Sequence, residues 1–158
     1  MLLEATLEQY LHEHIPLSKA MGLRVEVASL ERVLLGCPLE PNLNHRGTGF
    51  GGSIASIATL AGWSWLWILM RDKSIAAKLV VRKSTIDYIA SVDSDFTAEL
   101  RPPSHEAISH FWDTFERRGS ARIELKVEVL CRGEEAAHFD GTFVAIRSQN
   151  ALSVILSP

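Results

Sequence analysis

The spacing of apolar residues divides the chain into helical and extended segments. Leu3, Leu7, Tyr10 and Leu11, with Glu and His between them, recur at helical spacing, so residues 3 to 14 are expected to form a helix that Pro16 ends. Pro16 to Met21 adds a second short turn, closed by Gly22. Leu23 to Ser29 (LRVEVAS) alternates apolar and polar residues, the period of a half-buried strand. Arg32 to Leu39 reads as its hairpin partner, stopped by Pro38 and Pro41. Glu40 to Phe50 (EPNLNHRGTGF) is a polar, Gly-rich loop that runs through Gly51, Gly52 and Ser53 into an apolar helix ending near Arg71. From Ser53 to Met70 eighteen residues carry no charge, near the lower limit of a membrane span. Gly62 and several Ser and Thr interrupt the run, so a core helix is expected, apolar on every side and buried all round under a sheet.

The second half is mostly extended. Ala76 to Val92 is rich in β-branched residues and reads as a long strand, with Phe96 to Arg101 as the next. Pro102 and Pro103 stop it. Ser104 is placed to cap a short helix and Gly119 to close it, with Ile108, Phe111, Trp112 and Phe115 on one face and Arg117 and Arg118 at its C-terminal end. Ser120 to Cys131 alternates cleanly, Arg132-Gly133-Glu134 turns, and Glu135 to Arg147 returns. A short apolar tail follows Ser148. Hairpin-forming strands with one long apolar helix predict an α+β chain: one antiparallel sheet curled round that helix, in a single domain spanning residues 1–158.

Composition narrows the function. The chain has 158 residues, 47% of them hydrophobic and 22% charged, enough for one well-packed core. A formal net charge of −3 argues against a dedicated nucleic-acid binder. Cys37 and Cys131 are far apart and belong to no Cys/His cluster, so neither a zinc site nor a disulfide framework is expected, and a cytoplasmic, reducing compartment is the simplest. Residues 1 to 10 hold Glu4 and Glu8 and no basic run, unlike a signal peptide. No membrane partner is expected. His12 and His14, two apart on a helix, are a poor metal pair, and no metal site is expected. Basic residues gather late, at Lys78, Arg82, Lys83, Arg117, Arg118 and Arg122. Such a patch suits a phosphate group or an acidic carrier protein, or is simply solvated.

Asn44-His45-Arg46-Gly47-Thr48-Gly49-Phe50-Gly51-Gly52 resembles the N-x-x-G-x-x-H-G-G signature of hotdog-fold acyl thioesterases. The stretches PNLNHRGTGFGGSIASIATLAGW, RRGSARIELKVEV and FDGTFVAI, in that order, resemble the branch known as the C-terminal domain of YiiD-type proteins, some members of which are linked to malonyl-ACP decarboxylation at the start of fatty-acid synthesis. The resemblance covers nearly the whole chain. It implies a hotdog fold, a homodimer or homotetramer, and a substrate carried as a thioester on phosphopantetheine, either of acyl carrier protein (ACP) or of CoA, with no other cofactor. It places Asn44 and the Gly51 N–H at the thioester oxygen, with Gly52 beside them. The His of the signature falls on Phe50 and the catalytic Asp or Glu on Thr59. Hotdog dimers complete each site with a strand of the partner, here Val81 to Thr85, which adds Arg82 and Ser84 as substrate-binding candidates.

The residues themselves support part of this. First-turn amides of a helix have no intrahelical acceptor and lie at the positive end of its dipole, so Gly51 and Gly52 can receive developing negative charge. Equally, the two glycines can serve close packing. Asn44 offers two uncharged donors, or is a turn residue. Ser56 and Trp63 share a helical face with Thr59, whose hydroxyl can hold a substrate carboxylate or water, or bond back to a carbonyl one turn earlier. His45 is within reach of the same loop. No His or carboxylate lies between Phe50 and Met70, and nothing singles out Asp87 as a substitute base. Hydrolysis needs such a base; breaking the C–C bond of a malonyl thioester does not. Decarboxylation is therefore the leading expectation, thioester hydrolysis the alternative, and a non-catalytic acyl-ACP binding module the third.

Overall fold

The computed structural model describes residues 2–149, so the tail from residue 150 onward lies outside the described residues. Ten main elements follow one another: α1 (Leu3–His14), α2 (Pro16–Ala20), β1 (Arg24–Ala28), β2 (Val33–Cys37), α3 (Gly51–Asp72), β3 (Ala77–Tyr88), β4 (Phe96–Leu100), α4 (His105–Arg118), β5 (Ser120–Cys131) and β6 (Glu134–Arg147). The six strands form one antiparallel sheet in the order β1-β2-β4-β5-β6-β3. The expected α+β plan, a sheet curled round one long helix, is what forms. The strand expected to run from Ala76 to Val92 ends earlier, at Tyr88. The N–H groups of Ile89 and Ala90 turn to the carbonyl of Ala136 as the chain leaves the edge.

Local signals set the ends of these elements. Ser104 Oγ accepts the N–H of Ala107 at 3.1 Å and so caps α4, and Gly119 closes that helix at φ 70°. The β5–β6 turn puts Arg132 and Gly133 at φ 53° and 78°, the left-handed pair that suits the twist of a two-residue hairpin.

The two sheet edges are treated differently. Along β1, Glu8 accepts the N–H of Val25 at 2.8 Å, Glu4 accepts that of Ala28 at 3.2 Å, and His12 Nε2 donates to the carbonyl of Leu23 at 2.8 Å. These residues recur every four positions on α1, so one helix face replaces a missing strand and closes the edge. The opposite edge, β3, is twelve residues long and has no such cover among the described residues. Val80 and Val81 are exposed there, with Tyr88 and Ile89 at its end.

The expectation that α3 is buried all round needs correction. The faces carrying Ile57, Ala58, Trp65 and Leu66 are sealed, but Gly52, Ser56, Thr59, Trp63 and Trp67 form a stripe that one protomer covers only in part. The sheet closes around most of the helix, and the edge strand β3 leaves the remaining stripe open. Gly62 lies on a sealed face, where a Cβ would collide with the ring of the fully buried Phe143. Gly62→Val is expected to lower stability by about 1–3 kcal/mol, read as a reduced Tm in thermal denaturation. An unchanged Tm would show that Phe143 moves aside freely.

Candidate functional site

The loop before α3 is built to deliver Gly51 in one place. Buried Asn42 donates through Nδ2 to the carbonyls of Met21 and Pro38, at 2.9 and 2.8 Å, and its own carbonyl accepts the N–H of Phe50 at 2.7 Å. Gly49 donates to Val92 O at 2.7 Å. Between these anchors Asn44 organises a tight turn. Its Oδ1 accepts the N–H groups of Arg46 and Thr48 at 2.8 and 3.2 Å. Its Nδ2 donates to Thr48 Oγ1 at 2.8 Å and, at a long 3.4 Å, to Gly49 O. Asn44 is thus a turn residue in this structure, with one amide hydrogen only weakly engaged.

At the start of α3, Phe50 is extended and its carbonyl accepts the N–H groups of Ser53 and Ile54. Among the described residues, the N–H groups of Gly51 and Gly52 have no acceptor, as the first turn of a helix requires. The ring of Phe50 folds over Gly52, where a Cβ would strike it, so that glycine serves close packing by its neighbour. Gly51 stays open, with Tyr88 alongside: the Tyr88 hydroxyl donates to Gly51 O at 2.9 Å.

These groups border a cavity of about 380 Å³ whose walls include Asn44, Gly51, Ile54, Tyr88, Ile89 and Val92. Its lining holds no carboxylate, imidazole or amine among the described residues. Asp87 does not supply one. It pairs across from His138, while its neighbours Ile86 and Tyr88 oppose the buried Phe139 and Ala137, so Asp87 points to the other face of the sheet. The arrangement can hold an oxyanion on the Gly51 N–H and exclude part of the solvent; it offers no general base within one protomer.

The other expected residues are distributed as follows. Ser56 and Thr59 donate to carbonyls one turn earlier, Gly52 O at 2.7 Å and Ala55 O at 2.8 Å. Trp63 Nε1 donates to Leu79 O at 3.1 Å. Together with the Tyr88 bond this straps α3 to β3 at two points, and Ser56 and Thr59 lie between them. Ser84 is on the face of β3 turned toward α3, since it pairs with the buried Gly141. His45 is exposed on the loop, and Phe50 is 56% exposed. Arg82 sits at the β3 bulge, on the opposite face and away from the Gly51 cavity. A second cavity, also about 380 Å³, lies further along the stripe and is lined by Tyr10, Trp63, Trp67, Met70, Ile75 and Leu79. Cys37 is buried, which pushes its thiol up to about 12 and leaves it unreactive. Among the described residues, no His, Cys, Asp and Glu cluster could hold a metal ion.

Tyr88 and Ile89 were not identifiable from sequence as site residues. They fall within an extended run whose composition marks a strand and nothing more, and only the end of that strand at α3 gives them a role.

A family model described as "Putative thioesterase (yiiD_Cterm)" matches residues 4–147. Among solved structures, a protein of unknown function from Chlorobaculum tepidum TLS is 30% identical, covering 92% of this chain and 95% of its own, with a TM-score of 0.87. A "putative thioesterase" from Shewanella oneidensis is also 30% identical, over 91% of this chain and 97% of its own, TM-score 0.81. A "Probable Thioesterase" from Pseudomonas aeruginosa is 25% identical, over 94% and 99%, TM-score 0.77. The architecture is the hotdog fold.

Proposed function

This chain belongs to the YiiD C-terminal thioesterase family, whose members process acyl thioesters, and on that premise we propose that it decarboxylates malonyl-ACP or malonyl-CoA to the acetyl thioester. One observation carries the choice: among the described residues of one protomer, the cavity at Gly51 has an oxyanion donor and no base. In the proposed step the C–C bond to the malonyl carboxylate breaks and CO2 leaves. The electron pair moves into a thioester enolate, and water then protonates the carbon. The Gly51 N–H holds the enolate oxygen, joined by the Asn44 hydrogen that reaches Gly49 only at 3.4 Å. Ile54, Ile89 and Val92 keep the leaving group poorly solvated, whereas Thr59, eight residues and about 12 Å further along α3 than Gly51, lies outside this cavity and would position the carboxylate or relay the proton only from a partner protomer.

The exposed β3 edge supports a homodimer, since a long strand with free N–H and C=O groups and outward valines pairs readily with a second copy. Pairing there would lay the partner's β3 beside the Ser56–Thr59 stripe.

Hydrolysis is the second reading. It is favoured by the family's description and by the aromatic cavity at Trp63 and Trp67. That cavity lies about 18 Å along α3 from Gly51, room for an acyl chain.

Mass spectrometry of ACP species after incubation with purified protein separates the two. Acetyl-ACP with the thioester kept supports decarboxylation. Free-thiol ACP replaces it with hydrolysis, and an unchanged carrier with unchanged malonyl-CoA defeats both.

Tyr88→Phe provides a further check on the geometry. Losing one neutral hydrogen bond to Gly51 O, worth about 0.5–1.5 kcal/mol, is expected to lower kcat severalfold with KM nearly constant. A raised KM at full kcat would instead make Tyr88 a plain binding contact.

A further inference from the structure

Four arginines from three separate elements converge on one cleft of about 440 Å³, on the sheet face turned away from α3. Arg82 comes from the bulge that breaks the β3 register between Val81 and Lys83. Arg117 and Arg118 come from the last turn of α4. Arg122 comes from β5, where it pairs with Val144 while its neighbours Ala121 and Ile123 face the core. The hydroxyls of Thr114 and Ser120 and the ring of His110 add hydrogen-bonding groups, and Val144, paired with Arg122, gives the cleft an apolar floor.

No carboxylate lines this cleft, and among the described residues none of the four guanidinium groups makes a salt bridge. The paired acids are used elsewhere: Glu99 takes Arg32 and Arg101, Asp93 takes Arg132, and Asp140 takes Lys126. On a chain of net charge −3, four uncompensated cations in one concavity repel one another, which solvated strand positions would not require. The dipole of α4 accounts for Arg117 and Arg118 at its C-terminal end, but not for Arg82 and Arg122, which the sheet delivers. Arg117 turns its Nε to Asp113 O at 3.3 Å, which leaves its terminal nitrogens available.

We propose that this cleft binds a small organic phosphate carrying at least two phosphate charges. Planar guanidinium forks match phosphate oxygens two at a time. A concave pocket of this size fits a small molecule rather than the broad face of a macromolecule. The site is separate from the Gly51 cavity: six residues of β3, about 20 Å, lie between Arg82 and Tyr88, and the two positions open on opposite faces of the sheet. Within one protomer it shares no lining residue with the Gly51 cavity.

Isothermal titration calorimetry of the full chain with ADP, and separately with inorganic pyrophosphate, tests the proposal. The expected result is one saturable site per chain whose Kd rises with salt. Arg118→Gln and Arg122→Gln are each expected to weaken binding by about tenfold. Lys19→Gln, an equal change of charge on exposed α2, is expected to leave it unchanged. Equal affinity for the two probes would assign recognition to the phosphates alone. Tighter binding of ADP would add the nucleoside against Val144. Both results support the site. Absence of saturable binding to either probe overturns it, as does a loss with Lys19→Gln as large as with the arginine variants.

Discussion

Asn44→Asp is expected to abolish turnover while the fold survives. The substitution separates the two functions of this side chain. Asp keeps the oxygen that accepts the N–H groups of Arg46 and Thr48, so the turn retains its side-chain ties to the backbone amides. It loses the Nδ2 donors to Thr48 and Gly49 and places a negative charge beside Gly51. If an enolate oxygen develops there, a donor is removed and a repulsion added. Losing one such donor costs about 3–4 kcal/mol in the barrier, or roughly 10²–10³ in kcat. Circular dichroism and Tm should stay near wild type while the conversion of malonyl-ACP disappears. Near-normal turnover would remove Asn44 from the mechanism and leave it a turn residue, with the Gly51 N–H as the sole donor.

The largest expected loss of stability is from Trp65→Ala. This side chain is fully buried on a sealed face of α3, and its Nε1 donates to Leu30 O at 3.0 Å, tying the helix to the β1–β2 turn. Truncation removes a large apolar surface, leaves a cavity that the sheet cannot fill, and orphans a carbonyl. About 3–5 kcal/mol is expected, a large part of what holds a domain of this size together. At about 2–4 °C per kcal/mol, Tm should fall by roughly 10 °C. A shift of only a few degrees would mean that the sheet closes onto the smaller residue, and that α3 is held chiefly by its other contacts.

Much of the secondary structure was legible because its signals are local. The alternation of β5, the cap at Ser104, the stop at Gly119 and the uncharged run of α3 each depend on residues within a few positions of one another. The loop from Asn44 to Gly52 was legible as a resemblance, and the family match agrees with it. Composition and spacing gave no hint that Glu4, Glu8 and His12 would close an edge, because their partners Ala28, Val25 and Leu23 belong to another element.

By itself, then, the sequence determined the elements, their order, the α+β class and the absence of His or carboxylate between Phe50 and Met70, since each follows from residue type and period along the chain. The tertiary structure alone decided which face of α3 stays open, that Tyr88 reaches Gly51, that Asp87 turns away, and that Arg82 joins Arg117, Arg118 and Arg122. The physical reason is the path of β3. It follows α3 in the chain yet crosses to the far edge of the sheet beside β6, and its bulge at Arg82 resets which residues face the helix. Strand order and register set those contacts, and both come from packing between residues distant in sequence.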